Sequence, residues 1–441
     1  MHEAKTNPPK NAVESTNGNR LADLGQAFDP LSPAYSANPY DFYRQAREQE
    51  PVFFSERFNL WMVTRYEDVT AILKDHRRFA IVNEHPWEEY HTPEVRALLG
   101  TSPLLAVPSI IAVDPPHHTR LRTCLNKAFL PHRISRLEPC IRSFANRIID
   151  GFVDKGRVDI QAQFAHPYSA QVIGSLVNIP LDDLKQIQIW SQGMMTLYFA
   201  HVPAQEQLPL AQATLALHNY FYTLTEQHWI TPGDDLVGDL LKEAQAHQEP
   251  LSIAEAASLL FIFLIAGMHT TSTFLGNCFY QLLHKRTRWQ ALLDDPESIP
   301  AIVEEILRLD PPGLGAFRRA TETVKIGDKT IPAGALLQVM SSSANHDPAC
   351  FHDPEAFHPG RENASRLFSF GYGVHNCIGA SLERLAVRVV LEQFSQRLPS
   401  LRLTPDQQLS YIPGLGFHGF TQLLLEWDQS RERDLLSHRR V

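Results

Sequence analysis

The sequence predicts a mainly α protein with small β-sheets, and three observations predict it. A stretch from Ser252 to Lys285 is apolar, free of proline and opened by a Ser-x-x-Glu pair with capping-box spacing. Positions 378, 382, 385, 386, 389, 390 and 394 are apolar at the 3.6-residue period of a half-buried helix. The strand-like pieces are short and punctuated by Gly and Pro turns. With 441 residues, 44% hydrophobic and 20% charged, the chain can bury a large core. No repeat or Gly/Ser linker divides it, so one packed domain is expected over 26–430, with a disordered tail at 1–25 and a polar tail at 431–441.

In chain order, Asn38–Gln49 reads as a helix and "PVFFSERFNLWMVT" as a hairpin. Tyr66–Lys74 reads as a short helix, and 81–113 as a long loop with helical pieces. From His117 to about Lys242 the pattern is predominantly helical, with a turn at "TPGDD". The Ser252–Lys285 helix spans roughly 50 Å at 1.5 Å per residue, enough to cross the molecule. A helix over Pro300–Leu309 ends at "DPPG". "TVKIG", "KTIPAG" and "LLQVMSS" read as strands, the helix starting near Cys377 stops at Pro399, and the tail "LSYIPGLGFHGFTQLLLEW" reads as a hairpin.

Composition excludes several classes. The longest apolar run, 259–268, is about half a membrane span, so a soluble protein without a membrane anchor is expected. Five widely spaced cysteines without a secretory signal read as reduced thiols in the cytoplasm. A net charge of −9 without a basic cluster argues against nucleic acid.

"FSFGYGVHNCIGASLERLA" carries the chemistry. Gly371 and Gly373 permit a tight backbone path, Gly379 permits close approach to the next helix, and Cys377 sits at that helix's start. Helix N–H groups and the dipole there favour a thiolate. The run F-G-x-G-x-H-x-C-x-G, Phe370 to Gly379, resembles the haem-binding loop of the cytochrome P450 family. The resemblance extends from about Phe28 to Trp427. It implies the family's fold, with haem b between the long central helix and the Cys loop with its following helix, and Cys377 as the iron's thiolate ligand. "EEILR" resembles the family's structural ion pair, here Glu305 and Arg308. "DPPHHTRLR" and "FRRATETV" resemble its propionate-binding segments, matching His118, Arg122 and Arg318, with His375 completing the donors. Two buried carboxylates need such partners, because an unpaired buried charge costs several kcal/mol.

"AGMHTT" resembles the family's oxygen-binding stretch. The match implies that Ala266, Gly267 and Thr270 face the cofactor, Gly267 and Thr270 marking a local widening of the helix, and that Thr270 helps deliver protons. His269 departs from the family, which usually has a carboxylate there. It reads as a substitute proton relay, as a structural residue bonded to a neighbouring element, or as a sign of altered chemistry.

The resemblance implies a monooxygenase of bacterial type that inserts one oxygen atom of O2 into a lipophilic small molecule, by hydroxylation or epoxidation. It is expected to be a monomer drawing electrons from NAD(P)H through a separate ferredoxin or flavodoxin with its reductase. Arg120, Arg122 and Arg388 are expected to provide positive charge for that donor. Family position places Trp87, Leu105, Val107, Met195, Phe263, Leu314, Phe317 and Phe417 around an apolar pocket. A peroxide-driven haem enzyme and a non-catalytic haem-binding recruitment module are the alternatives.

Overall fold

The computed structural model describes residues 23–82, 90–200 and 202–429. It is built around one helix, Ile253–Leu283. Its N-terminus carries the expected capping box: Glu255 N–H donates to Ser252 Oγ at 3.2 Å, and Ser252 N–H donates to Glu255 Oε2 at 2.8 Å. The helix is long and apolar enough to cross a bilayer, but here it is the core element. Helices His166–Leu176, Ala204–Trp229, Ile299–Leu309 and Ala380–Arg397 pack around it. Its continuous apolar composition, rather than a one-sided stripe, follows from that encirclement. The chain turns extended at Lys285, so the helix stops two residues earlier than the sequence reading. Arg286–Asp294 then forms a separate helix that the reading passed over.

The main sheet has five strands in the order Val52–Ser55, Leu60–Val63, Leu336–Val339, Ala316–Ala320 and Phe79–Ile81. The first two form the expected hairpin, with Val52 opposite Val63. Ala316–Ala320 runs antiparallel to both its neighbours, which sets Arg318 between Ile81 and Leu337. Val324–Ile326 and Lys329–Ile331 form the small expected hairpin, and Ser410–Tyr411 pairs with Phe420–Gln422 in the tail.

Tyr66–Lys74 is helical as read, and the 81–113 stretch holds the helix Pro93–Leu99. The helix after Cys377 begins at Ala380 and ends at Arg397, with Leu398 capping it just before Pro399. Of the two expected tails, 1–22 and 431–441 lie outside the described residues. Residues 23–25 are folded: Asp23 caps the helix Leu24–Ala27, and Leu24 is buried. Trp87 also lies outside the described residues.

Candidate active site

The Cys loop is shaped by backbone that an L side chain adopts only with strain. Gly371 has φ +69° and Gly373 φ +76°. A Cβ on Gly373 would also meet Leu73 O at 2.6 Å, so the loop lies tight against the end of the Tyr66–Lys74 helix. Cys377 N–H donates to Phe370 O at 2.8 Å, closing the loop. Phe370 lies under the Arg384 guanidinium, 4.5 Å from its ring centre, and Arg384 is held by Glu304. The Cys377 side chain is left accessible. Protein nonetheless surrounds it closely, and desolvation pushes the thiol above its ordinary range. The Gly379 N–H, Arg122 and Arg384 oppose this, and Glu383 adds to it. The helix-terminus effect expected from the sequence is present in the Gly379 contact, but burial outweighs it.

Beside the loop stand the donors expected for two carboxylates. Arg318 is 4% exposed. Its Nη1 donates to the Phe317 carbonyl at 2.7 Å, and no ion pair to it is found among the described residues. Burial draws this guanidinium down to about 10, with Asp114 opposing. His118 is buried and its ring centre lies 4.3 Å from that of His375. Burial, then the charges of His375 and Arg122, lowers His118 to about 4. The sequence reading did not include Asp114, which fixes this corner: its Oδ2 accepts from Ile81 N–H at 2.8 Å and its Oδ1 lies 3.0 Å from His375 Nε2. Arg122 donates to Asn126 Oδ1 at 3.0 Å, is partly desolvated and feels the Cys377 sulfur. A buried arginine with no ion pair among the described residues and a second desolvated arginine near an accessible thiol fit a dianionic metalloporphyrin. Among the described residues no cluster of three or more His, Cys, Asp and Glu could hold a metal ion; Cys377 would supply the iron's thiolate ligand.

Removing this cation is expected to have opposite effects on the two forms of the protein. Arg318→Ala should raise the stability of the haem-free chain, because it deletes an uncompensated buried charge. It should also weaken haem retention by about tenfold to a hundredfold, the equivalent of one charged hydrogen bond of roughly 1.5–3 kcal/mol. Haem transfer to excess apomyoglobin, with urea melts of the haem-free protein, measures both.

The opposite wall is the central helix. Ala266 is exposed in the middle of this buried element, and Thr270 is half-buried, its Oγ1 donating to Ala266 O at 2.6 Å. The helix is continuous through this stretch. Gly267 also has a packing role. A Cβ there would meet Ile173 Cδ1 at 2.6 Å, so this glycine admits the His166–Leu176 helix. The other hydroxyls have partners on the protein: Thr271 Oγ1 donates to Glu383 Oε2, and Ser272 Oγ to His269 O at 3.0 Å. His269 Nε2 lies 2.5 Å from Ser191 Oγ on the helix Leu181–Phe199. Burial, with His166 nearby, lowers the imidazole to about 4, which leaves it neutral at pH 7. Of the three readings of His269, the bond to a neighbouring element is the one observed.

Glu305 and Arg308 form a two-pronged buried pair, Nη2 to Oε1 2.9 Å and Nε to Oε2 3.0 Å, on side chains 1% and 0% exposed. Arg361, within "FHPGR", had no assigned role; it donates to Glu305 Oε1 at 3.0 Å and joins the pair.

The other expected residues divide. Leu105 is exposed, Val107 and Met195 are half-buried, and Phe263 packs on Phe129 with centres 4.5 Å apart. Leu314 N–H donates to Gly416 O, and Phe417 bridges to Gly313 and lies against Phe199, so the 313–317 segment and the tail turn meet. Leu314 is 1% exposed and belongs to the core around Tyr43 and Met62, with Phe317 packed against it. Arg388 is not free to meet an acidic partner: it pairs with Glu138 and Glu392 at 2.6 Å each, and Arg142 closes the ring on the same two carboxylates. Arg120 is paired with Glu255. A cavity of about 610 Å³ adjoins the Asp114 corner, lined also by His76, Arg77, Thr119, Arg120 and His247.

With this geometry in hand, the chain was compared with known proteins. The family model described as Cytochrome P450 matches residues 54–413. "Cytochrome P450 107B1" of Saccharopolyspora erythraea is 34% identical over 86% of this chain and 92% of its own length. "Mycinamicin IV hydroxylase/epoxidase" of Micromonospora griseorubida is 34% identical, covering 87% and 94%. The P450 heme domain of Tepidiphilus thermophilus superposes with a TM-score of 0.88 at 30% identity, covering 93% of this chain and 99% of that one.

Proposed function

Because the chain belongs to the cytochrome P450 family, and is therefore a haem-dependent monooxygenase, we propose that it hydroxylates or epoxidises a lipophilic small molecule. Haem b supplies the oxygen chemistry when bound. The observation that carries the reading is the pairing of an accessible Cys377 with accessible Ala266 on an otherwise buried helix. The protein's own residues do the rest. Arg122, Arg318, His118 and His375 hold the cofactor's carboxylates, Thr270 presents a hydroxyl at the open face, and Glu305, Arg308 and Arg361 brace the Cys loop from behind. The half-buried Val107, Met195 and Phe417 favour an apolar substrate, since an apolar pocket gives little return for desolvating a charged one.

Electrons come from NAD(P)H through a ferredoxin or flavodoxin and its reductase, and the enzyme works as a cytoplasmic monomer. With Arg388 and Arg120 already paired, the donor's docking charge comes from other residues. The neutral, Ser191-bonded His269 leaves the position of the family's usual distal acid without a ready proton, which is the feature that favours the competing peroxide-driven reading. Turnover under ¹⁸O2 with a surrogate ferredoxin and reductase, across a panel of lipophilic compounds, separates the two. One ¹⁸O atom in the product is the expected result. Product formed only with added peroxide, carrying no label from O2, would overturn it.

A further inference from the structure

Monooxygenation consumes two protons and two electrons for each O2: R–H + O2 + 2e⁻ + 2H⁺ gives R–OH + H2O, the electrons coming from NAD(P)H. Where those protons wait is an open question in this chain. His269 stands where the family usually carries an acid, but it is bonded to Ser191 and neutral. One position along the same helix, the Thr271 hydroxyl reaches out of the element and meets Glu383, on the helix that follows the Cys loop.

We propose that Glu383 holds a proton for oxygen activation and passes it through the Thr271 hydroxyl toward Thr270, taking the place of the missing distal acid. The inference rests on the monooxygenase reading. Three features carry it. Glu383 bridges the two helices that flank the Cys377 site, and Thr271 is next in the helix to Thr270, whose hydroxyl faces the open space. The Glu383 Oε1 is closed off from solvent and has no hydrogen-bond partner among the described residues, which disfavours a carboxylate there, and the acid's proton is transferable from the Oε2 that faces Thr271. Glu383 is half-buried. Burial raises the acid to about 7, against the Thr271 hydrogen bond and the Arg384 charge, so both forms are populated at neutral pH. The other titratable groups around it are Cys377 on its own segment, Cys278 on the central helix and Tyr168 on the His166–Leu176 helix. In each cycle Glu383 gives up one proton, becomes a carboxylate and is reprotonated from water.

The test uses the haem-loaded enzyme with a surrogate ferredoxin chain. Glu383→Gln keeps an acceptor for Thr271 but carries no transferable proton. Product per NAD(P)H should fall by about tenfold or more, a modest share of the 10²–10⁴ typical of proton transfer, with the missing equivalents appearing as hydrogen peroxide. Thr271→Val leaves the acid intact and should do the same, and both should raise the solvent deuterium isotope effect on product formation. Independently of turnover, infrared difference spectra should show a protonated-carboxyl band that titrates near pH 7 in the wild type and is missing in Glu383→Gln. Wild-type coupling in Glu383→Gln, or no such band in the wild type, would overturn the proposal and leave Glu383 as a helix pin. A wild type that makes no O2-derived product would overturn the monooxygenase reading as well.

Discussion

Glu305→Ala is expected to cost about 3–5 kcal/mol of folding stability, the usual effect of removing one partner from a buried ion pair. A typical domain has only about 5–15 kcal/mol in total. The expectation is at the upper end because Glu305 serves more than one cation. It accepts from Arg308 through both oxygens, from Arg361 Nε at 3.0 Å and from the His358 N–H at 2.8 Å. Deleting the carboxylate strands two guanidinium groups, with side chains 0% and 6% exposed. Neither forms an ion pair with another acid among the described residues. The remaining donors of Arg308 go to the carbonyls of Asn345, Pro354 and Ala356, which satisfy hydrogen bonds but do not cancel charge. The damage should also reach the haem site. Asn345 accepts from Phe368 N–H at 2.7 Å and donates to Ser369 Oγ at 2.9 Å, so the segment that Arg308 anchors is the one that sets the start of the Cys loop. Urea melts of Glu305→Ala and Glu305→Gln measure the effect, with the glutamine variant falling between wild type and alanine. A loss in the alanine variant below about 1 kcal/mol, the value of an exposed pair, would show that the network does not depend on this charge.

How much of this was legible depended on whether a feature is local in the chain. The central helix announced itself through a capping box and an unbroken apolar run. The Cys loop announced itself through glycines whose left-handed conformations the structure bears out. Contacts across the fold were not legible in the same way. Arg388 read as a free surface cation because its neighbour Glu392 tells only half the story, and Glu138, about 250 positions away, completes the ring. Gly267 read as part of an oxygen cradle because its motif is contiguous, whereas Ile173, from another helix, is what requires a missing side chain. The partners of His269 and Thr271 were invisible for the same reason: Ser191 and Glu383 reach them from separate helices. Ser191 lies in a helix with a weak apolar period, and Glu383 looks like an ordinary first-turn acid. A buried residue's type suggests that it has a partner, but only the packing of elements names it.

Cys377→Ser is expected to abolish monooxygenation while leaving haem bound. Arg318, Arg122, His118 and His375 address the cofactor's carboxylates and do not depend on the sulfur. Product formation should therefore fall to the background of free haem while the pigment stays with the protein. The reduced carbon monoxide complex should also lose the absorption maximum characteristic of a thiolate ligand, because a serine oxygen is a harder and weaker electron donor than sulfur. The same residue makes a prediction about protons. Burial holds the haem-free thiol above its ordinary range, so at pH 7 Cys377 carries a proton. A coordinating thiol is deprotonated outright, so haem binding must expel that proton. Affinity should then rise with pH, by up to tenfold per pH unit while the thiol remains protonated. Cys377→Ser should show neither the proton release nor that slope, since its hydroxyl is far harder to ionise. Haem binding followed in weakly buffered solution with a pH indicator reads both variants directly. Proton release from Cys377→Ser equal to wild type would mean that the released proton does not come from the thiol, and that the thiol was already ionised in the haem-free fold. The Gly379 N–H, Arg122 and Arg384 would then outweigh burial, the opposite of the balance the geometry implies.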